Sequence, residues 1–321
     1  MQFSFFSLFA YLGVLTVSFY FASLYEKYGK KSCLILTYLT LVCFCGFRFF
    51  VGNDYAGYVK HFSLISIYEE NVIFIEPGYY ALNLLFKWSP VGYFYVFFIA
   101  TALSYFFILR QLCYERILKW GIFSLVSLGC LIWMNDIIRQ GIAFSIFIYS
   151  LRYMKKGDFL SYFICVAIAC LFHYSAVVLL FFYFLRYLRL SSIVWILLII
   201  LTFVLQYAGI FRELLKSLIA MIPYYGAYAN KADQYFVTGS VVGIGLIYKQ
   251  LIAMCIALFY PKISNKFYAT LFLSGCVLDN IFLGTFIFER ISNYLVYTNI
   301  MVFPYFFKSV CSQRIRFLVV Y

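Results

Sequence analysis

The chain has 321 residues, of which 65% are hydrophobic and only 12% charged, against about half and about a quarter in an average soluble domain. No soluble core hides that much apolar surface, so a water-soluble domain is excluded and lipid is the expected solvent. The net charge of +13 points to no nucleic acid, because the Lys and Arg residues form neither a single patch nor a basic amphipathic helix.

Apolar runs of roughly 15 to 20 residues recur along the chain, about the length a helix needs to cross the hydrocarbon layer. Backbone groups in lipid must be satisfied within helices or closed barrels. Runs such as Ser192 to Tyr207 do not alternate, so the expected fold is all-α, a polytopic integral membrane protein of about ten or eleven transmembrane helices. The first run, Phe3 to Ala22, has no basic leader and no small-residue cleavage site, and reads as a retained helix rather than a signal peptide. Short basic loops stay in the cytoplasm. The clusters are Lys27, Lys30 and Lys31; Arg110, Arg116 and Lys119; Arg152, Lys155 and Lys156; Arg186 and Arg189; Lys262 and Lys266; and Lys308, Arg314 and Arg316. Placing all of them inside predicts helices near 3–22, 33–50, 91–109, 120–135, 138–154, 159–172, 174–187, 192–209, 241–260, 267–288 and 291–307, with the N-terminus outside and the C-terminus inside. The short pair flanking His173 also reads as one hairpin or broken helix.

One membrane domain, 1–321, is expected, with two longer outer loops, about 48–87 and 209–240. The first carries Glu76-Pro77-Gly78 and then Tyr79 to Trp88, an amphipathic stretch suited to the interface or to re-entry. The second carries Pro223, Tyr224, Tyr225, Tyr228 and Tyr235, suited to a lid over head groups and sugars. The ten cysteines avoid both loops, which reads as apolar packing rather than disulfides or metal ligation.

Ionisable residues at membrane depth are functional candidates by default, and here they gather at the outer ends. Arg48 sits at the exit of the second helix, before Gly52-Asn53-Asp54-Tyr55 and Tyr58. Asn135 to Gln140, with Asp136 and Arg139, makes a tight outer turn. His173 tops a helix, and Glu289-Arg290 with Tyr294 tops the last hairpin. Each arginine alone also fits a snorkelling interfacial residue; three at one outer level, against the charge rule, favour a site. Guanidinium forks match phosphate oxygens, so Arg48, Arg139 and Arg290 are candidate ligands of a lipid-borne phosphate or pyrophosphate. His173, Asp54 and Glu76 are the candidate catalytic bases, His173 first because its ordinary pKa is near neutrality. The two carboxylates also fit pairing with arginine, and His173 a structural helix-end histidine. His61 has no partner in view. A metal centre is the weaker option, since His61, His173, Asp54 and Asp136 lack helical ligand spacing.

Phe47-Arg48 through Gly52-x-Asp54-x2-Gly57-Tyr58, then Glu76-Pro77-Gly78-Tyr79, Arg139-Gln140 with Ala143, Phe172-His173-Tyr174-Ser175-Ala176, and Arg290 with Tyr294 resemble, in order, the EpsG-like and Wzy-type O-antigen and exopolysaccharide polymerases. The resemblance runs from about Lys27 to Lys308; the chain ends soon after Arg316, where longer relatives carry a further helix. It implies a bacterial inner-membrane glycosyltransferase, facing the periplasm, that moves a glycan chain from undecaprenyl pyrophosphate onto a lipid-linked repeat unit. It implies Tyr58, Gln140 and Tyr294 as sugar contacts, no cofactor or nucleotide sugar, and membrane lipid and a chain-length regulator as partners. A lipid-linked oligosaccharide flippase and a membrane O-acyltransferase are the rival functions. The first would show corresponding halves with broken helices at the midplane, and the second an acyl-donor path.

Overall fold

The computed structural model describes residues 5–67, 75–220 and 244–320, and over these the chain is helical with no β-strand. The tyrosine-rich lid expected at Pro223, Tyr224, Tyr225, Tyr228 and Tyr235 lies outside the described residues. Two compact units follow one another, Met1–Tyr183 and Phe184–Tyr321.

The first unit opens with α1 (Phe5–Tyr28) and α2 (Lys31–Gly46), continues through the short α3 (Tyr55–Ile67) and α4 (Pro77–Leu84), and then α5 (Gly92–Tyr114), α6 (Leu118–Ser127), α7 (Cys130–Asp136), α8 (Ile138–Lys156) and α9 (Phe159–Cys170). A 3-10 turn, Tyr174–Val178, and the single-turn α10 (Leu179–Phe182) close it. Helix α8 is the axis: it packs on α5 to one side and α9 to the other, while α2 bridges α5 and α1. Its inner face, from Ile142 through Phe144, Ile146, Phe147 and Leu151, is buried; with lipid as the solvent, such side chains hold the helices together by close packing and not by leaving water.

Three local features differ from the sequence expectation or sharpen it. The span expected at 120–135 is broken: α6 and α7 meet at 61°, because Gly129 sits at φ +81°, where only glycine is unstrained. The helix expected at 174–187 is a chain of 3-10 turns and one α-turn. The eight-residue α4 is too short to span; Leu85 and Trp88 just beyond it are exposed, as an interfacial segment requires. By length and apolar character, α1 and α5 are able to cross a membrane, and the bent α6–α7 pair is a third if it is one span; Lys31–Gly46, Phe159–Cys170 and Ser192–Tyr207 are shorter apolar helices.

The turn from α8 to α9 is built to fold back tightly. Gly157 ends α8 in the left-handed conformation, and the Asp158 side chain accepts from Ser161 N at 3.1 Å, capping α9, a bond of about 1 kcal/mol. Helix α9 thus returns alongside α8 and delivers His173 to the end where α8 began.

The second unit comprises α11 (Ser192–Tyr207), α12 (Ile210–Ala220), α13 (Ile244–Phe259), α14 (Lys266–Phe282), α15 (Phe286–Val296) and α16 (Asn299–Val320). Helix α14 is its centre, packed against α11, α13 and α15.

Candidate functional site

The first unit gathers a carboxylate, an imidazole and a guanidinium that lie far apart in sequence. Gly78 N donates to Leu171 O at 2.7 Å, and a Cβ at residue 78 would lie only 2.8 Å from that oxygen. Glycine therefore lets the first turn of α4 butt directly against the end of α9. Pro77 at the first turn costs no hydrogen bond there. Glu76, just before it, is thereby set between α9 and α8. Its Oε1 lies 2.9 Å from His173 Nδ1 and its Oε2 2.6 Å from Arg139 Nη1. The Glu76 side chain is 4% exposed, His173 10% and Arg139 21%. Burial pushes the Glu76 carboxyl up, but the His173 hydrogen bond and the Arg139 charge outweigh it and bring it down to about 2. The group is an ionised acceptor, so the hydrogen bond places the proton on His173 Nδ1 and leaves Nε2 as the basic nitrogen.

Aromatic rings surround the guanidinium. Arg139 lies over the rings of Tyr58 and Tyr79, 5.9 and 5.6 Å from their centroids, and these two rings meet edge to face at 5.9 Å. Such contacts contribute about 0.5–2 kcal/mol each. Tyr58 also meets Phe97 at 6.3 Å, and Arg48 lies 5.0 Å over that same ring. The two arginines are thus joined through Tyr58 and Phe97.

Arg48 is held from behind. Its Nη1 donates to Asn135 Oδ1 at 2.9 Å and to Cys45 O at 3.4 Å. Cys45, expected only to pack, accepts through Sγ from Tyr105 Oη at 3.3 Å and Asn135 Nδ2 at 3.5 Å. Asp136 Oδ1 accepts from Asn53 N at 3.0 Å. The turn Asn135–Arg139 therefore anchors Arg48 with its first residues and presents Arg139 with its last. A narrow, water-sized cleft runs beside Arg48, Thr101, Ser104, Tyr105 and Asn135. The buried Nε atoms of Arg48 and Arg139 have no hydrogen-bond partner among the described residues.

The structure thus brings together Arg48, Tyr58, Glu76, Arg139 and His173 of the residues singled out from the sequence, and adds Tyr79, Phe97 and Asn135 to them. Asp54 is exposed immediately before α3, where its carbonyl accepts from Tyr58 N at 3.0 Å. Burial, then the Arg139 charge, lower the pKa of His61. Gln140 is enclosed in α8. Arg290 and Tyr294 belong to the second unit, Arg290 exposed on α15 and Tyr294 enclosed.

A second polar cluster escaped the sequence reading. In the second unit Asp279 accepts from Lys249 Nζ and from Ser292 Oγ, each at 3.1 Å. Asn280 accepts from Gln250 Nε2 at 2.6 Å and donates to Thr202 Oγ1 at 3.1 Å and Ile199 O at 3.3 Å. Glu289 Oε1 accepts from Gly284 N at 2.7 Å. Two lone charges inside the apolar runs 241–260 and 267–288 were the available signal.

Over the described residues the chain is helical and rich in apolar helices, as suits a membrane protein, and it buries a carboxylate shared by a histidine and an arginine. A family model described as the EpsG family matches residues 31–321, and the chain belongs to that family. Membership suggests a polysaccharide-polymerase-like, glycosyltransferase-type function. No curated protein and no solved structure matches the chain.

Proposed function

We propose that the chain is a repeat-unit polymerase of the bacterial inner membrane, transferring a growing glycan from undecaprenyl pyrophosphate to a lipid-linked repeat unit at the outer face. The observation that carries this reading is the Glu76 carboxylate bonded at once to His173 and Arg139. With Glu76 holding Nδ1–H, His173 Nε2 takes the proton from the acceptor hydroxyl as its oxygen attacks the anomeric carbon. The bond from that carbon to the pyrophosphate oxygen breaks, and its electron pair leaves with the pyrophosphate. Glu76 stabilises the imidazolium that forms, as an orienting carboxylate does in hydrolytic triads.

Arg139 and Arg48 each keep a buried Nε–H with no partner among the described residues; once the site opens to the substrate, these donors serve the oxygens on which charge grows, where a preorganised donor is worth about 2.7–4 kcal/mol. Arg290, exposed on α15 of the second unit, is kept as a candidate pyrophosphate ligand on its sequence motif alone. Asp54 and Glu76 are the alternative bases; the double pairing of Glu76 favours an orienting role for it, and the exposure of Asp54 leaves it to solvent. The sugar-contact assignment of Tyr58, Gln140 and Tyr294 requires these enclosed side chains to open to the substrate. This reading takes ten or eleven crossings, about as many as the apolar runs allow, with the basic loops inside and the site facing the periplasm. A chain-length regulator is a partner consistent with this activity.

The test is a ladder gel of surface polysaccharide from a deletion strain carrying wild-type, His173→Ala or Arg139→Ala protein at matched levels. A polymerase leaves a single repeat unit and no ladder in the variants. A full ladder in both variants removes the reading. Loss of every repeat unit in the deletion strain indicates a flippase, and a normal ladder lacking acetyl groups indicates an O-acyltransferase.

A further inference from the structure

The chain has two histidines, and the mechanism proposed for the site uses only His173. His61 lies on α3, one helical turn after Tyr58 and on the same face, and the two rings meet edge to face at 6.5 Å. Tyr58 in turn carries Arg139 over its ring and meets Tyr79. One aromatic side chain therefore stands between His61 and the guanidinium that Glu76 holds. His61 is only half-buried, yet its Nδ1 is enclosed and has no hydrogen-bond partner among the described residues. Four charged side chains act on the ring: Arg139 and Lys60 disfavour a proton on it, while Glu76 and Asp54 favour one. Burial and then the Arg139 charge prevail, so the ring is neutral near pH 7. A neutral imidazole has one N–H and one lone pair. The N–H finds an acceptor on the solvent side, which leaves the lone pair on the enclosed Nδ1.

His173 and Glu76 are more enclosed, their side chains 10% and 4% exposed, and every glycosyl transfer leaves the proton of the acceptor hydroxyl on His173. The Glu76 carboxylate, 2.9 Å from Nδ1, stabilises that imidazolium, so the site resets quickly only if a second base takes the proton onward. We propose that His61 is a proton-relay residue that takes this proton from His173 and passes it to solvent, an inference that rests on the polymerase reading. By way of water in the open site, the Nε2–H bond of His173 breaks and an N–H bond forms at His61 Nδ1. The N–H bond at His61 Nε2 then breaks, its proton goes to bulk water, and the ring is neutral again. Exchange of the remaining proton with water restores the starting tautomer. No electrons change hands and no further reactant is consumed. His61 touches neither sugar nor pyrophosphate in this scheme and acts through His173 alone.

Initial rates of polymerisation by the full-length purified protein, supplied with the lipid-linked repeat unit extracted from the deletion strain, test this at low buffer concentration. His61→Ala should lower kcat about tenfold or more while KM for the repeat unit is unchanged. Added 4-methylimidazole should restore most of the lost kcat to His61→Ala and leave wild type unaffected, a rescue that a merely structural histidine would not show. His61→Phe keeps an aromatic edge against Tyr58 and carries no proton acceptor, so it should be as slow as His61→Ala; it also serves should His61→Ala fail to fold. Wild-type kcat in either variant, or a loss that 4-methylimidazole does not restore, overturns the relay and leaves the polymerase reading standing. Wild-type protein that makes no polymer from the repeat unit removes that reading, and the relay with it.

Discussion

Glu76→Gln keeps the shape of the side chain and removes the charge shared by Arg139 and His173. The carboxyl falls from its ordinary 4.5 to about 2 in the folded chain, equivalent to about 3 kcal/mol. Breaking a buried ion pair from one side costs about 3–5 kcal/mol by a separate route, because the partner charge is left uncompensated. Glutamine can still accept from one partner through its carbonyl oxygen, so the lower end of that range is expected. Unfolding of purified protein by SDS titration at pH 7 measures it. A double-mutant cycle with Arg139→Gln should return a coupling of at least about 1 kcal/mol. The pH dependence carries the sign: a carboxyl lowered in the folded state stabilises fully above about pH 4.5, and the contribution disappears as the pH falls toward about 2. Wild type should therefore approach the Glu76→Gln variant only in acid. If the two unfold at the same SDS fraction at pH 7, the carboxylate is not a structural or electrostatic hub and the reasoning fails.

Gly78→Ala places a methyl 2.8 Å from Leu171 O, and should cost about 1–3 kcal/mol by overpacking while lowering ladder formation, because α4 must retreat and carry Glu76 from His173; SDS titration and the ladder gel read the two effects. Asn135→Leu removes the acceptor at 2.9 Å from Arg48 and should destabilise by about 1–3 kcal/mol, with Arg48→Met in the same chain recovering part of the loss in thermal unfolding. Asn280→Leu severs the link from α14 to both α11 and α13 and should lower the thermal midpoint more than Gln250→Leu, which removes only one of those bonds.

Much of this arrangement was legible in the sequence, but not its wiring. Apolar run length and basic punctuation gave an all-α membrane chain, and polar residues at helix ends gave Arg48, Glu76, Arg139 and His173. Periodicity carries no information about which distant ends meet: Glu76 is 63 residues from Arg139 and 97 from His173. Only the closeness that Gly78 permits and the capped hairpin at Asp158 decide it. The break at Gly129 was hidden because an isolated glycine in an apolar run has the same composition whether the helix bends or continues. Lys249 and Asp279 stand as single charges within apolar runs, away from the helix ends where the polar motifs lie.

The bend at Gly129 acts as a lever arm. Helix α7 has seven residues, about 10 Å of rise, and is turned by 61° from α6. Straightening that joint would carry its tip, with Asn135 and Asp136, sideways by about 10 Å, well out of reach of Arg48 and of the chain at Asn53. One glycine between α6 and α7 thus determines whether Asn135 and Asp136 meet Arg48 and Asn53, and a substitution there would act on that cluster from roughly two helical turns away without touching any of its groups.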